Sequence, residues 1–411
     1  MYNGLWILKK VGIKMSRYVG TVVRGIRTKI IKTGDPLDKI VVESVLDAVS
    51  SDNFSLNDRD IIGVTEAIVA RSQGNYVTVD HIAKDIQNKF PSKKIGVVFP
   101  ILSRNRFATC LKGIARGAEE IILLLGLPSD EVGNHLLPME KLDEKKINPY
   151  TTTLTEEEFT NLFGNSSHPF TNVDYVKEYK NIIQNEGAKV KVVFSNDPFE
   201  ILKYTKDVLV CNTHGRFRIQ NLLKNNDNNV LTLQDIMNAP IDDSGYNEEF
   251  GLLGSNISTD NSVKLFPRNS FEFAKQLQDE FKKATGKNIE VLVYGDGAFK
   301  DSVGQIWELA DPVVSPGYTD GLIGVPNELK LKFLADATFK DLKGEELNKA
   351  ILEAIKNKDK NQAMDEKNRL GTTPRKLTDL IGSLCDLTSG SGDKGTPIIL
   401  IQGYFDNYAN E

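Results

Sequence analysis

The stretch VTEAIVARSQG, Val64 to Gly74, leaves a buried-strand pattern and gathers Thr65, Glu66, Arg71, Ser72 and Gln73 within nine residues. A cation, a carboxylate, hydroxyls and an amide at a strand end suit a polar or phosphorylated ligand, and the alternative is a solvated strand end. In YGDGAFKD, the apolar run VLVY ends in Asp296 between two glycines, with Asp301 five positions on. Carboxylates beside flexible backbone at the end of a buried strand suit a hard divalent cation, while Gly-Asp-Gly is also ordinary turn chemistry. In SRNRF, residues 103–107, Arg104, Asn105 and Arg106 stand between an apolar strand and a helix. Paired guanidinium groups there can grip phosphate or carboxylate oxygens, aided by the helix N-terminus; a capped helix with surface arginines is the plainer reading.

Two further clusters carry weaker signals. TSGSGDKGTP, residues 388–397, precedes the strand PIILIQGY, and with GTTPR (371–375) it flanks the helix LTDLIGSLCDL. Glycine backbone can approach an anion closely, yet no GxxxxGK[ST] occurs and the loop leads into a strand, so this is not a P-loop. NTHGRFR, 212–218, is another polar strand end, where His214 reads more readily as a local hydrogen-bonding residue than as a base. No nucleophile elbow, no GxGxxG after a strand and no HExxH is present. The residue types favour anion and metal handling over Ser or Cys hydrolysis.

The chain of 411 residues can bury one large core or two ordinary ones. A net charge of −5 gives no basic footprint for nucleic acid, and no apolar run reaches the length that spans a bilayer. The N-terminal MYNGLWILKKVGIKM is interrupted by Lys9 and Lys10 and has no small-residue cleavage site, so it reads as an extension. Cys110, Cys211 and Cys385 are far apart in apolar surroundings, which suits reduced thiols and a cytoplasmic location.

The elements that must position these clusters follow α/β patterning, with polar residues where strands end. Residues 18–31 alternate as a strand, and LDKIVVESVLDAV has helical period after the KTGDP turn. DIIGVT and KKIGVVFP read as strands, with a helix after Thr78 between them and a second helix, FATCLKGIARGAEEI, after SRNRF. Residues 127–185 look like an insertion. AKVKVVF, DVLVCNT and IEVLVYGD are strands, 224–262 reads as long loop, and NSFEFAKQLQDEFKKATG is an amphipathic helix. A solvated helix pair is expected over 337–368.

IRTKIIKTGDPL followed by NDRDIIGVTEAIVARSQGNYV resembles the opening of the gamma-glutamyl ligases of the deazaflavin coenzyme F420. That family writes Pro-Leu-Ile-x-x-Gly-Asp, a helix, and a Gly-Asp-Val-Leu-Val-Val strand running into Ser-Lys-x-Glu-Gly. The matching positions are Ile31, Lys32, Gly34 and Asp35, then Asp60 to Val64, then Ala70, Arg71, Gln73 and Gly74. Asp296 resembles the aspartate of the family's Asp-Thr-x-Gly-Arg. The resemblance runs over about 20–126 and 288–325. The family's Ser-Lys is Ala70-Arg71 here, its acid is Gln73, and its Gly-Ile-Asp-x-Ser-Asn motif is matched to SRNRF, which lacks the carboxylate.

The resemblance implies an α/β fold of mixed sheets with large insertions. After an N-terminal extension (1–17), it implies a nucleotide-binding core over 18–126, an inserted subdomain over 127–262, and a metal-site strand and C-terminal part over 263–411 completing the core. It implies GTP and Mg²⁺ or Mn²⁺ as cofactors, and a homodimer. Ile31, Lys32, Gly34, Thr65, Glu66 and Arg71 would bind nucleotide, and Arg104, Asn105 and Arg106 the substrate. Asp296 and Asp301 would bind metal, with Arg71 and Asp296 catalytic. The implied reaction activates a small-molecule carboxylate as an acyl phosphate and joins it to an amino acid such as L-glutamate. A protein of the same fold that binds a nucleotide or acidic metabolite without catalysis is the alternative.

Overall fold

The computed structural model describes residues 19–164, 167–168, 171–296, 299–300, 307–308, 313–326, 329–357, 376–390 and 392–407. Asp301, GTTPR and the N-terminal extension lie outside these residues. So does most of the second helix expected over 337–368; the first is present over Gly344–Lys356.

Two sheets organise the chain. The first has the order β1 (Val22–Ile26), β16 (Ile398–Gln402), β2 (Ile61–Thr65), β12 (Glu290–Tyr294) and β15 (Gly317–Tyr318). β2 and β12 run parallel, with Thr65 opposite Tyr294, whereas β16 is antiparallel to both β1 and β2. Alternation along the strands builds a core on each face. Ile62, Val64, Val291, Val293, Ile398 and Leu400 pack with helices α1 (Leu37–Ser51) and α9 (Ser270–Thr285). Ile61, Leu292, Tyr294, Ile399 and Ile401 face the helix Leu377–Ser389 on the other side.

Gly63 in β2 is required by this second face. A Cβ at that position would lie 2.4 Å from Cys385 Sγ and 3.3 Å from a ring carbon of Tyr294. Gly63→Ala is therefore expected to destabilise the protein by about 1–3 kcal/mol through overpacking, seen as a lower urea midpoint with unchanged slope.

The second sheet has the order β6 (Leu154–Thr155), β7 (Lys189–Phe194), β5 (Glu120–Leu125), β4 (Lys94–Val98), β8 (Asp207–Val210) and β9 (Asn229–Thr232). All its pairs are parallel except β6 with β7. Taking its parallel strands in chain order, the arrangement is that of a doubly wound sheet, with a reversal between β4 and β8. α3 (Val79–Lys89), α4 (Thr109–Arg116) and α7 (Tyr175–Asn185) contribute to one face, and α8 (Arg216–Leu223) to the other. Two of these helices begin at a capping side chain, α3 at Thr78 and α7 at Asp174, and Ser103 caps the helical turn before α4.

The division expected at 126/127 falls between β5 and β7, which are neighbours in this one sheet. The stretch 224–262 is not simply loop: it holds β9 and β10 (Asn256–Thr259) and ends on the first residue of β11 (Ser262–Lys264), which pairs with β3 (Tyr76–Thr78). These strands are short and interrupted by Asn and Asp, which conceals their period in the sequence. The strand read over 18–31 contracts to β1, because pairing with β16 covers only Val22 to Ile26. No described helix is long and apolar enough to cross a membrane.

Candidate functional site

The strand directions of the first sheet decide what meets at one of its ends. β1, β2 and β12 terminate there, and β16 begins there. The end therefore collects residues 27–35, Thr65 and Glu66, Gly295 and Asp296, and the loop 392–397. Hydrogen bonds tie these pieces together: Thr65 N–H donates to Pro397 O at 3.0 Å, and Gly295 N–H to Val314 O at 2.8 Å. Gly34 N–H donates to Ser72 O at 2.8 Å, and Thr33 Oγ1 to Arg71 O at 3.3 Å. Gly34 has φ +84°, a backbone conformation that suits glycine and turns the loop onto the helix Glu66–Ser72 (α2).

The polar cluster after β2 divides into structural and solvent-facing residues. Thr65 caps α2, its Oγ1 accepting from Ala67 N–H at 3.4 Å. Glu66 pairs with Lys264 at 2.6 Å, and both side chains are only 13–14% exposed. Gln73 clamps the backbone of Arg268: Nε2 donates to its carbonyl at 2.7 Å, and Oε1 accepts from its N–H at 2.9 Å. Ile31 is buried in the core with α1 and α9. Lys32, Gly34 and Arg71 are exposed, and the Arg71 guanidinium makes no hydrogen bond or ion pair with another described residue. Of the residues read as nucleotide-binding, these three are the ones whose surfaces face outward.

Asp296 and SRNRF, separate clusters in the sequence, meet in space. Arg106 lies on a helical turn, Arg104–Ala108, that follows β4 of the second sheet, and its guanidinium bonds the Asp296 carboxylate beyond β12 of the first. The ion pair thus bridges the two sheets, with Arg106 18% exposed and Asp296 52%. Arg104 and Asn105 are exposed on the same turn, and Arg104 lies near enough to Tyr175 to act on its hydroxyl electrostatically. Among the described residues no group of three His, Cys, Asp or Glu is placed to hold a metal ion.

Asp320 also lies on the surface, on a short turn after β15. The three cysteines are free and buried, and burial pushes the Cys110 thiol up to about 11, so it stays protonated at neutral pH.

His214 is exposed, and its backbone N–H is engaged. Together with Thr213 and Gly215 it donates to the carboxylate of Glu131, at 2.9 Å from His214 and 3.1 Å from Gly215. Sequence reading did not single out Glu131 or the cavity beside it. The only available signal was DEVGN among other polar residues of the 127–185 segment.

Two sheets whose polar strand ends carry cations and a bridging carboxylate define an α/β protein suited to acidic or phosphorylated small molecules. The chain belongs to the F420-0:gamma-glutamyl ligase family, whose model matches residues 25–403 of the 411. A comparison with curated proteins finds no match. The family match takes in the second sheet, beyond the two stretches in which the resemblance is legible by eye. Within it, Gly251-Leu252-Leu253-Gly254-Ser255-Asn256 fits the spacing of Gly-Ile-Asp-x-Ser-Asn more fully than SRNRF, the match made above, and it too lacks the carboxylate, with buried Leu253 where the motif has its acid. This run leads into β10, which packs against the SRNRF turn, and Ser255 Oγ lies 3.3 Å from Cys110 Sγ beneath that turn.

Proposed function

We propose that the chain is a GTP-dependent amide-forming ligase whose reaction takes place at the joint between the two sheets. The observation that carries this reading is the Arg106–Asp296 pair, which brings the strand end of each sheet to one place inside a chain of the ligase family. Lys32 and Arg71 supply positive charge for the phosphates, with Arg71 standing where the family has lysine; a guanidinium keeps its charge and can bind two oxygens at once. Arg104, with Asn105 beside it, is free to receive the carboxylate of the substrate.

Asp296 fits a cation that arrives with the nucleotide. Mg²⁺ is commonly held by one or two carboxylates together with substrate phosphates and water, so a single aspartate suffices where a preformed cage does not exist. Such an ion, or Mn²⁺, would neutralise charge on the phosphoryl group during transfer. Arg106 holds the Asp296 carboxylate in place and adds a second positive charge beside it. The substrate carboxylate attacks the γ-phosphorus and releases GDP. The amine of L-glutamate then attacks the acyl carbon, loses a proton and expels inorganic phosphate. Phosphate release that requires both a carboxylic acid, F420-0 first, and an amino acid tests this reading; release without either would point to a hydrolase.

Leu253 at the motif's acid position favours a second reading, a protein of the same fold that binds nucleotide without catalysis. Binding without phosphate release under any pairing of acid and amine would select it.

Arg71→Ala separates the roles of charge and fold. Arg71 is exposed and unpartnered among the described residues, so unfolding should change by less than about 0.5 kcal/mol. Loss of a charge-assisted bond to phosphate should weaken GTP binding by about tenfold to a hundredfold in calorimetry, and Arg71→Lys should recover much of it.

A further inference from the structure

The second sheet carries a cavity of about 410 Å³ at the C-terminal ends of β4, β5, β7 and β8. It lies where the strand order reverses, the position at which open parallel sheets bind ligands. Phe99, Leu127, Leu136 and Met139 give it apolar walls, and Asn212 and His135 are among its polar groups. No Lys or Arg is among the described residues that line it.

Two of the lining side chains each carry one atom with no hydrogen-bond partner among the described residues. Asn212 is 4% exposed, and its Nδ2 faces the Glu131 carboxylate at 3.4 Å. A carboxylate only accepts, so this contact fixes the amide orientation and turns Oδ1 the other way. Asn212 Oδ1 then finds no donor among the described residues, nor does His135 Nδ1 find a partner. Buried polar atoms in proteins are paired with few exceptions, so an orphaned acceptor on a residue that lines a cavity points to a donor on a ligand. Phe99, the first residue after β4, has φ +51°, an uncommon backbone conformation for a bulky residue and one that recurs at ligand sites.

The usual seat for a phosphate is closed. The backbone N–H groups of Thr213, His214 and Gly215, ahead of α8, already bond the Glu131 carboxylate. The turn after β4 reads Phe99-Pro100-Ile101-Leu102, without the glycines that let a pyrophosphate approach. We propose that this cavity binds an uncharged nucleoside, a planar heterocycle whose N–H groups donate to Asn212, and that it discriminates against the 5′-phosphorylated form. The site shares no residue with the joint at the first sheet, so it stands apart from the ligase reading.

Methyl-labelled methionine reports on the cavity directly, because Met139 lines it and the chain has five methionines. Adenosine or guanosine should shift the Met139 methyl signal saturably, with Kd of about 1 mM or tighter, and the matching monophosphate should bind about tenfold more weakly. Asn212→Leu should weaken the nucleoside by about tenfold or more. If that variant does not fold, Met139→Trp fills the cavity from a part-exposed position and should abolish the binding seen by calorimetry. Arg71→Ala should leave the shift intact, which keeps failure here distinct from failure at the joint. No Met139 shift with either nucleoside, tighter binding of the monophosphates, or equal binding by a folded Asn212→Leu would overturn the proposal.

Discussion

Asp296→Asn should lower the rate of acid- and amine-dependent phosphate release by about a thousandfold or more, while the protein unfolds within about 1 kcal/mol of the parent. The two halves of this expectation have separate causes. The side chain is 52% exposed, so its pairing with Arg106 is partly screened, and an asparagine oxygen can still accept from the guanidinium. Stability therefore depends little on the negative charge. Catalysis depends on it heavily if Asp296 seats the cation that stabilises the transferring phosphoryl group. A variant with full activity would remove Asp296 from the reaction and leave it as a tie between the sheets. A variant that is inactive because it no longer folds would show that the tie itself carries more of the joint's stability than its exposure suggests.

Glu66→Ala has the opposite signature. Glu66 and Lys264 are both largely buried and bond at 2.6 and 2.7 Å, and removal of the carboxylate leaves an ammonium group in a poorly solvated place. Breaking a buried pair by removing one partner costs about 3–5 kcal/mol, so urea unfolding should show a large loss. Replacing both residues, with Glu66→Gln and Lys264→Met, should return much of it, since the penalty lies in the unpaired charge. Below its unfolding transition, Glu66→Ala should still bind GTP. Lost GTP affinity at unchanged stability would instead make Glu66 a ligand-binding residue, as the resemblance implies for it.

The same pair shows how far sequence reading reaches. The position of Thr65 and Glu66 at a strand end is legible, because IIGVT is an apolar run that stops at polar residues. Their occupation is not, since Lys264 lies in β11, almost two hundred positions along the chain and just beyond the stretch that reads as loop. Asp296 and Arg106 are each legible as polar residues beyond apolar strands, and each suggests a charged ligand. That each is the other's partner depends on how two sheets meet, which no local period encodes. Ile31 is an instance in the other direction. It matches the family's opening, yet its apolar side chain is buried with α1 and α9 and is closed to a ligand.

The six-stranded sheet was the least legible part. Its strands are individually clear at 94–98, 189–194 and 207–210, whereas β5 begins at Glu120, inside the stretch read as helix to Ile121, and the common sheet is hidden by the polar segment between β5 and β7. The cavity at its edge depends on residues from four strand ends, among them Phe99, Leu127, Asn196 and Asn212, and no two of these stand close in sequence.

Thermal unfolding with GTP, ATP or no nucleotide, each with Mg²⁺, Mn²⁺ or chelator, tests the nucleotide site most directly. A ligand that binds only the folded protein, present at about a hundred times its Kd, stabilises by about 2.7 kcal/mol. The expected result is a raised midpoint with GTP that needs the divalent ion and is much reduced in Arg71→Ala. An unchanged midpoint with both nucleotides under every metal condition would contradict a nucleotide-dependent ligase at this joint.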